Sequence, residues 1–312
     1  MMSNPLTVKA DNNTKRSLLL RMWQCRYLYL MLIPALAAMV FFHYIPMYGI
    51  QIAFKKFRAV DGIVGSSWVG LRYFTNMFRE YTFLTVLRNT LWISFLKLVI
   101  CFPAGVIFAL LLNEIGSLKF KKLAQTISYI PHFISWVVFA GIIKDFLSLD
   151  GFLNQIVAAF GGEKVIFLSK SSYFVPILII TEIWKGMGWG SIVYLAAIAG
   201  IPAELYESAH IDGASRIQKM VYITFPSIKS VVLVMFIMRI GHIMNAGFDQ
   251  IFNLYSAIVY DVADIIDTYS YRVGLINQDF SYSTAIGLFK NVLGVILMLT
   301  VNKLTGKNSG GV

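Results

Sequence analysis

Apolar stretches long enough to cross about 30 Å of hydrocarbon as helices alternate along the chain with short polar or basic segments. The first runs from Tyr27 to Ile50, with no Asp, Glu, Lys or Arg between Arg26 and Lys55. Thr85 to Leu112, Leu123 to Ile143, Tyr173 to Ala199, Ser230 to Phe248 and Tyr282 to Val301 follow. Backbone polar groups in hydrocarbon must find partners inside their own segment, so the pattern predicts an all-α membrane protein with six transmembrane helices. Residues 1–26 then form an N-terminal tail, 27–304 the helical domain and 305–312 a C-terminal tail. Residues 1–20 carry too little apolar surface to fold alone. The first run is far longer than the apolar core of a signal peptide, and no small-residue cleavage pattern follows it, so it is expected to be retained.

Composition sharpens this picture. Of 312 residues, 57% are hydrophobic and 14% charged, against roughly 45–50% and 25% in a soluble domain, which excludes an ordinary soluble enzyme and a disordered chain. Cys25 and Cys101 provide neither a metal cluster nor a disulfide scaffold. The net charge of +11 is spread between the apolar runs instead of lying on one aromatic-studded face, so it points to topology and a membrane-lipid boundary and not to nucleic acid. Arg21, Arg26, Lys119, Lys121, Lys122, Arg216, Lys219 and Lys303 fall on one side of the predicted bundle, and Asp249, Asp261, Asp264, Asp267 and Asp279 on the other. Positive residues stay inside, which places both termini in the cytoplasm.

Four spans carry charge at depth: Lys97, the Glu182 and Lys185 pair, Arg239, and Lys290. An ionisable group at the bilayer centre costs at least about 2.5–3.5 kcal/mol, so such groups face a cavity or a partner, and a path for a polar substrate is one reading. Glu182 and Lys185, spaced i, i+3, fit a mutual ion pair equally well. Arg239, His242 or Asn245, and Asp249 recur at helical spacing, as a polar stripe or as close-packing positions, and Gln250 beside Asp249 is a further path candidate. His242 taken singly fits a hydrogen-bonded packing residue better than a ligand. Trp184, Trp189 and Tyr194 offer faces for sugar rings, or belong to the interfacial aromatic belt.

The segment between the fourth and fifth runs, residues 200–226, reads as two short helices with a tight corner. Pro202 opens the first, Asp212 and Gly213 break it, and Ser215 and Arg216 start the second, which is predicted to end at Ile223-Thr224-Phe225-Pro226. An amphipathic helical hairpin at the inner membrane face suits a partner that grips it.

Glu207-Ser208-Ala209, three residues, Gly213, nine residues, then Ile223-Thr224-Phe225-Pro226 resembles the EAA loop of bacterial ABC importer permeases, with Ser208 for the usual Ala and Phe225 for the usual Leu. Leu205-Tyr206-Glu207-Ser208-Ala209-His210-Ile211-Asp212-Gly213-Ala214 and Leu111-Leu112-Asn113-Glu114 resemble the maltose-type carbohydrate-uptake branch. Tyr44-Ile45-Pro46-Met47-Tyr48-Gly49, Trp68-Val69-Gly70-Leu71, Tyr129-Ile130-Pro131-His132-Phe133-Ile134-Ser135-Trp136 and Gly247-Phe248-Asp249-Gln250-Ile251-Phe252 are similar to the lipoprotein-associated polysaccharide permeases of Gram-positive bacteria, a group implicated in uptake of complex or acidic oligosaccharides.

The resemblance implies a type I ABC importer permease fold in the bacterial plasma membrane. It also implies a second homologous permease, two ATPase subunits that hold ATP and Mg, an extracytoplasmic sugar-binding lipoprotein and an oligosaccharide cargo. By the same resemblance Leu205, Glu207, Ser208, Ala209, Asp212, Gly213, Ala214 and Pro226 dock the ATPase, with Glu207 pairing with a basic residue there and Asp212 capping the following helix. No Gly-x-x-x-x-Gly-Lys-Ser/Thr, His-Glu-x-x-His or serine elbow occurs, so no bound cofactor, metal or catalysis is expected of this chain. Two other readings remain at this point: a secondary transporter or channel, which discontinuous helices favour, and an intramembrane enzyme using Asp261, Asp264 and Asp267, which fit a solvated helix face equally well.

Overall fold

The computed structural model describes Trp23 and residues 25–306; the expected tail over 1–20 and the chain beyond Gly306 lie outside the described residues. The chain divides into two compact units, Met1–Gln51 and Ile52–Val312. Helix α1 begins in the first at Arg26 and runs to Phe54, its last three residues belonging to the second.

In the second unit, α2 (Arg72–Arg79) leads into α3 (Tyr81–Asn113). Next come α4 (Leu118–Phe133), α5 (Trp136–Phe146), α6 (Phe152–Ala159), α7 (Ser171–Ala199) and α8 (Ala203–Ile211). After α9 (Arg216–Gly241) lie the short α10 (Phe248–Leu254) and α11 (Ile266–Tyr271), then the last long helix α12 (Phe280–Gly306). Among the described residues four helices, α1, α3, α9 and α12, are long and apolar enough to cross a membrane, and six spans result if each bent pair, α4 with α5 and α7 with α8, counts as one.

Proline explains a recurrent irregularity. Pro46, Pro103 and Pro226 each stand two residues after a widened π turn, at Val40–Tyr44, Lys97–Cys101 and Met220–Thr224. A proline ring clashes with the carbonyl four residues back and offers no N–H, and a wider turn relieves both problems without ending the helix. The expected stop at Pro226 is therefore corrected: α9 runs from the polar hairpin straight into the fifth span.

Two further boundaries differ from the sequence pattern. The third apolar run is not one helix, because α4 and α5 meet at 106° across Ile134 and Ser135. Ser135 is the cause: its hydroxyl accepts from Val138 N at 3.3 Å and starts a new helix. The fifth run stops at Gly241, and tight turns carry the chain to Gly247, whose φ of +100° only glycine adopts freely. That break overturns the expected single stripe through Arg239, His242, Asn245 and Asp249, since Asp249 sits on α10, a separate helix.

The core forms three clusters. Phe174 and Leu178 of α7 pack with Ile93, Phe139 and Ile251. Farther along α7, Tyr194 and Ile198 meet Val106, Leu110 and Ile228. Met77, Phe83, Val86, Ile266 and Ile286 bind α2, α3, α11 and α12 together. An antiparallel ribbon, β1 (Lys55–Lys56) and β2 (Ser67–Trp68), precedes α2. Ser281 pins it to α12, accepting from Phe57 N at 2.9 Å and donating to Lys55 O at 2.7 Å.

Candidate functional site

In the second unit, α3, α7, α9 and α10 bring charged groups together. Lys97, on the π turn of α3, is 4% exposed. Its ammonium lies 3.1 Å from Glu182 Oε2 on α7 and donates to Gln250 Oε1 on α10 at 2.5 Å. Gln250 uses its amide to donate to Leu178 O and Thr181 Oγ1, both at 2.8 Å, so it is held on every side. Arg239 of α9 reaches Glu182 Oε1 at 3.6 Å, with its side chain 48% exposed. Gly247 makes room for the group, because a Cβ there would lie 2.6 Å from Lys97 Nζ. Glu182, Arg239 and Gln250 are thus brought together as a polar cluster at span depth. Lys97, legible as an in-span charge, is missing from the expected path set, although it is the cluster's most buried member.

The other expected path residues are placed elsewhere. Glu182 and Lys185 do not pair: Lys185 turns to the break between α4 and α5, donating to Pro131 O at 2.8 Å, His132 O at 3.2 Å and Ile134 O. A helix C-terminus leaves carbonyls without partners and favours a cation, and one ammonium meets both needs. Trp184 packs edge-on against Phe139 at 5.2 Å, and Trp189 stacks flat on His132 at 4.4 Å. Lys290 is bound to Asp267 Oδ1 at 2.5 Å and Asn245 Oδ1 at 2.8 Å. Asp249 is exposed in the first turn of α10, and His242 lies exposed just past the end of α9, beside Arg239.

Cys101, Phe102, Gly105, Glu182, Gly186, Met187, Gly190, Tyr194, Met235, Met238, Arg239 and His242 line an open cavity of about 290 Å³. The three loop aspartates do not share a solvated helix face. Asp264 is buried and ion-paired with Arg272, Asp267 holds Lys290, and Asp261 accepts from Ser171 Oγ at 3.0 Å.

The polar hairpin is present. A 74° bend at Gly200–Pro202 separates α8 from α7. Asp212 and Gly213, the latter at φ +78°, turn the chain toward α9. Ser215, and not Asp212, caps α9: its hydroxyl accepts from Gln218 N at 3.3 Å while Gln218 Oε1 accepts from Ser215 N at 2.7 Å. Tyr206 on α8 and the buried Thr224 on α9 share a 2.9 Å hydroxyl contact that ties the arms together. Leu205, Glu207, Ser208 and Asp212 are exposed, Ala209 and Ala214 half-buried, and Pro226 lies exposed farther along α9. Ile211 and Ile217 on the same hairpin are 87% and 69% exposed.

Apolar helices long enough to cross a membrane, with a charge cluster between them and an exposed helical hairpin, make this a multi-pass membrane protein. The chain belongs to the family of binding-protein-dependent transport system inner membrane components, whose model matches residues 101–306. It is 45% identical over 294 residues to the polygalacturonan/rhamnogalacturonan transport system permease protein YteP of Bacillus subtilis (strain 168), covering 94% of this chain and 92% of that protein. It is 43% identical over 283 residues to protein LplB of the same organism, covering 90% and 89%. Its fold matches a chain in the crystal structure of a bacterial ABC transporter involved in the import of the acidic polysaccharide alginate, with a TM-score of 0.87, 38% identity and coverage of 94% of this chain and 99% of that one.

This chain is therefore a permease subunit of an ABC importer, a multi-pass protein of the bacterial plasma membrane and not itself an enzyme. Membership also replaces the secondary-transporter and intramembrane-enzyme readings. The discontinuous helix that would favour an ion-coupled transporter does exist, but the carbonyls at its break are occupied by Lys185.

Proposed function

We propose that this subunit pairs with a second, homologous permease to import an acidic oligosaccharide, received from an extracytoplasmic binding lipoprotein and driven by two ATPase subunits. The cargo assignment draws on the relatives: one carries polygalacturonan and rhamnogalacturonan in its name, and a related structure holds an alginate pentasaccharide-bound periplasmic protein. In this reading the six spans are α1, α3, α4 with α5, α7, α9 and α12, with both termini in the cytoplasm. ATP and Mg belong to the ATPases, and this chain holds no cofactor.

The observation that carries the reading is the exposed hairpin. Glu207 projects from α8 with no side-chain partner among the described residues, beside exposed Leu205 and Ile211, which is the arrangement of a helix that fits a groove. Ser208, Ala209 and Ala214 keep the contact low, Gly213 permits the corner, and Asp212 adds charge at its rim. Pro226 marks where the hairpin arm becomes a span.

Closure of the ATPase pair would move α8, which short turns join to a lever at each end. One is α7, roughly 27 Å from Gly200 to Glu182 at about 1.5 Å per residue, and the other is α9, roughly 34 Å from Arg216 to Arg239. Both levers reach the charge cluster, so a shift at the hairpin re-aims Glu182 against Arg239. Coupling is mechanical, through an element with two arrangements.

The test is a pull-down from gently solubilised native membranes, comparing wild type with Glu207→Lys and identifying captured proteins by mass spectrometry. An ABC ATPase is expected with wild type and lost in the variant. Absence of any ATPase under conditions that preserve a known ABC complex would overturn the docking assignment.

A further inference from the structure

We propose that Arg239, on the wall of the 290 Å³ cavity, is the subsite for a carboxylate of the sugar cargo, which displaces Glu182 from beside the guanidinium. This rests on the acidic-oligosaccharide reading above and specifies where the acid is recognised.

Charge accounting is the first support. Lys97 and Arg239 share one carboxylate, Glu182, and no other Asp or Glu lines the adjoining cavities. The nearby cations of the bundle are engaged elsewhere: Lys290 is neutralised by Asp267, and the Lys185 ammonium is held by backbone carbonyls. The cluster thus carries one cation more than anions at span depth, where unbalanced charge is costly, and a single added anion balances it.

Geometry identifies the cation that is available. Glu182 sits 3.1 Å from the buried Lys97 but 3.6 Å from Arg239, beyond hydrogen-bond length. Arg239 donates no side-chain hydrogen bond among the described residues, so its planar fork is free to grip a carboxylate with two parallel N–H donors.

An independent feature lies next to it. Ser94 is 5% exposed, and among the described residues its hydroxyl is the one buried side-chain polar atom without a hydrogen-bond partner. It lines a recess of about 10 Å³ together with Lys97, Arg239, His242 and Asn245. That is about the room of one water or one oxygen atom. A buried polar group left unpaired is costly, and an acceptor oxygen entering beside Arg239 removes that cost. Exposed His242 forms part of the wall of both spaces and gives a sugar hydroxyl a further partner.

Two measurements separate this inference from the reading beneath it. Uptake of labelled trigalacturonate by cells carrying the wild-type importer tests the reading: no uptake overturns both. Equilibrium dialysis of the assembled importer, isolated without its binding protein, tests the subsite with trigalacturonate and its neutral trimethyl ester as probes. Arg239→Gln is expected to weaken trigalacturonate binding by about tenfold or more and to leave ester binding little changed. Arg239→Lys, which keeps the charge, recovers most of the affinity. Glu182→Gln removes the competing carboxylate and tightens trigalacturonate binding, a gain that misfolding does not produce. Equal affinity for acid and ester in wild type, an unchanged trigalacturonate affinity in Arg239→Gln, or parallel loss of both probes would overturn the subsite while leaving the uptake result standing.

Discussion

The ammonium of Lys185 lies 2.8 Å from the carbonyl oxygen of Pro131, bridging α7 to the last turn of α4 where the third apolar run breaks. A second carbonyl, from His132, lies 3.2 Å away, and Ile134 provides a third acceptor. The lysine is 8% exposed and stands over the rings of Trp136 and Phe139, 5.3 Å and 5.6 Å from their centroids. A charge that is costly in a membrane is thereby turned into the cap of a broken helix.

Lys185→Met keeps the apolar stem but takes the ammonium from those carbonyls, leaving Pro131 O with only the bond from Ile134 N at 3.3 Å. The expected loss is about 1–3 kcal/mol of stability, the worth of hydrogen bonds to a charged group. Thermal denaturation in detergent reads it directly. A melting temperature equal to wild type would show that the break holds itself without the lysine.

The contact between α7 and α4 depends on a missing side chain one turn farther along. A Cβ on Gly188 would collide with the Ser128 carbonyl and lie 2.9 Å from the Ser128 Cβ, whereas a Cβ on Gly186 meets nothing within 4 Å. Gly188→Ala is expected to cost about 1–3 kcal/mol through overpacking. Gly186→Ala should be neutral or gain up to about 1 kcal/mol from helix propensity. Equal melting temperatures for the two variants would refute the close approach.

These placements show what the sequence could and could not reveal. The apolar runs and the hairpin were legible because both are written in local periodicity and in Pro, Gly and Ser positions. Ion-pair partners were not, since Glu182 has Lys185 three residues away but chooses Lys97 and Arg239 from other helices. The Ser135 break was hidden inside an apolar run, where hydropathy stays high while the backbone turns by 106°. Proline misled in the opposite direction: Pro226 read as a stop, and a π turn before it let the helix continue. Asp212 looked like a cap because aspartate favours that role, yet Ser215 had the Gln three residues on that completes a capping box.

That capping box yields a local prediction. Ser215→Ala removes the acceptor for Gln218 N and is expected to cost about 0.5–2 kcal/mol, concentrated at the start of α9. Amide hydrogen exchange over residues 215–219 should accelerate while exchange in α7 stays unchanged. Uniform acceleration across both helices would place the effect in global unfolding and not in the hairpin.

Glu80, at the start of α3, accepts from Tyr269 at 2.8 Å and from Tyr282, tying α11 and α12 to the second span. Burial, and then the adjacent carboxylate, push the Tyr269 phenol above its usual value. An unfolded phenol ionises near pH 10, while the folded one keeps its proton to higher pH. Its contribution to stability is therefore complete below about pH 10 and fades as pH climbs toward the folded value. Tyr269→Phe should lose about 0.5–1.5 kcal/mol at neutral pH, with one hydrogen bond gone. It should also show a shallower fall in stability above about pH 10 than wild type, because fewer phenols are then being titrated. Parallel stability curves for the two proteins from pH 7 to 11 would remove the Tyr269 phenol as a source of base sensitivity, and the link to Glu80 would then act through packing alone.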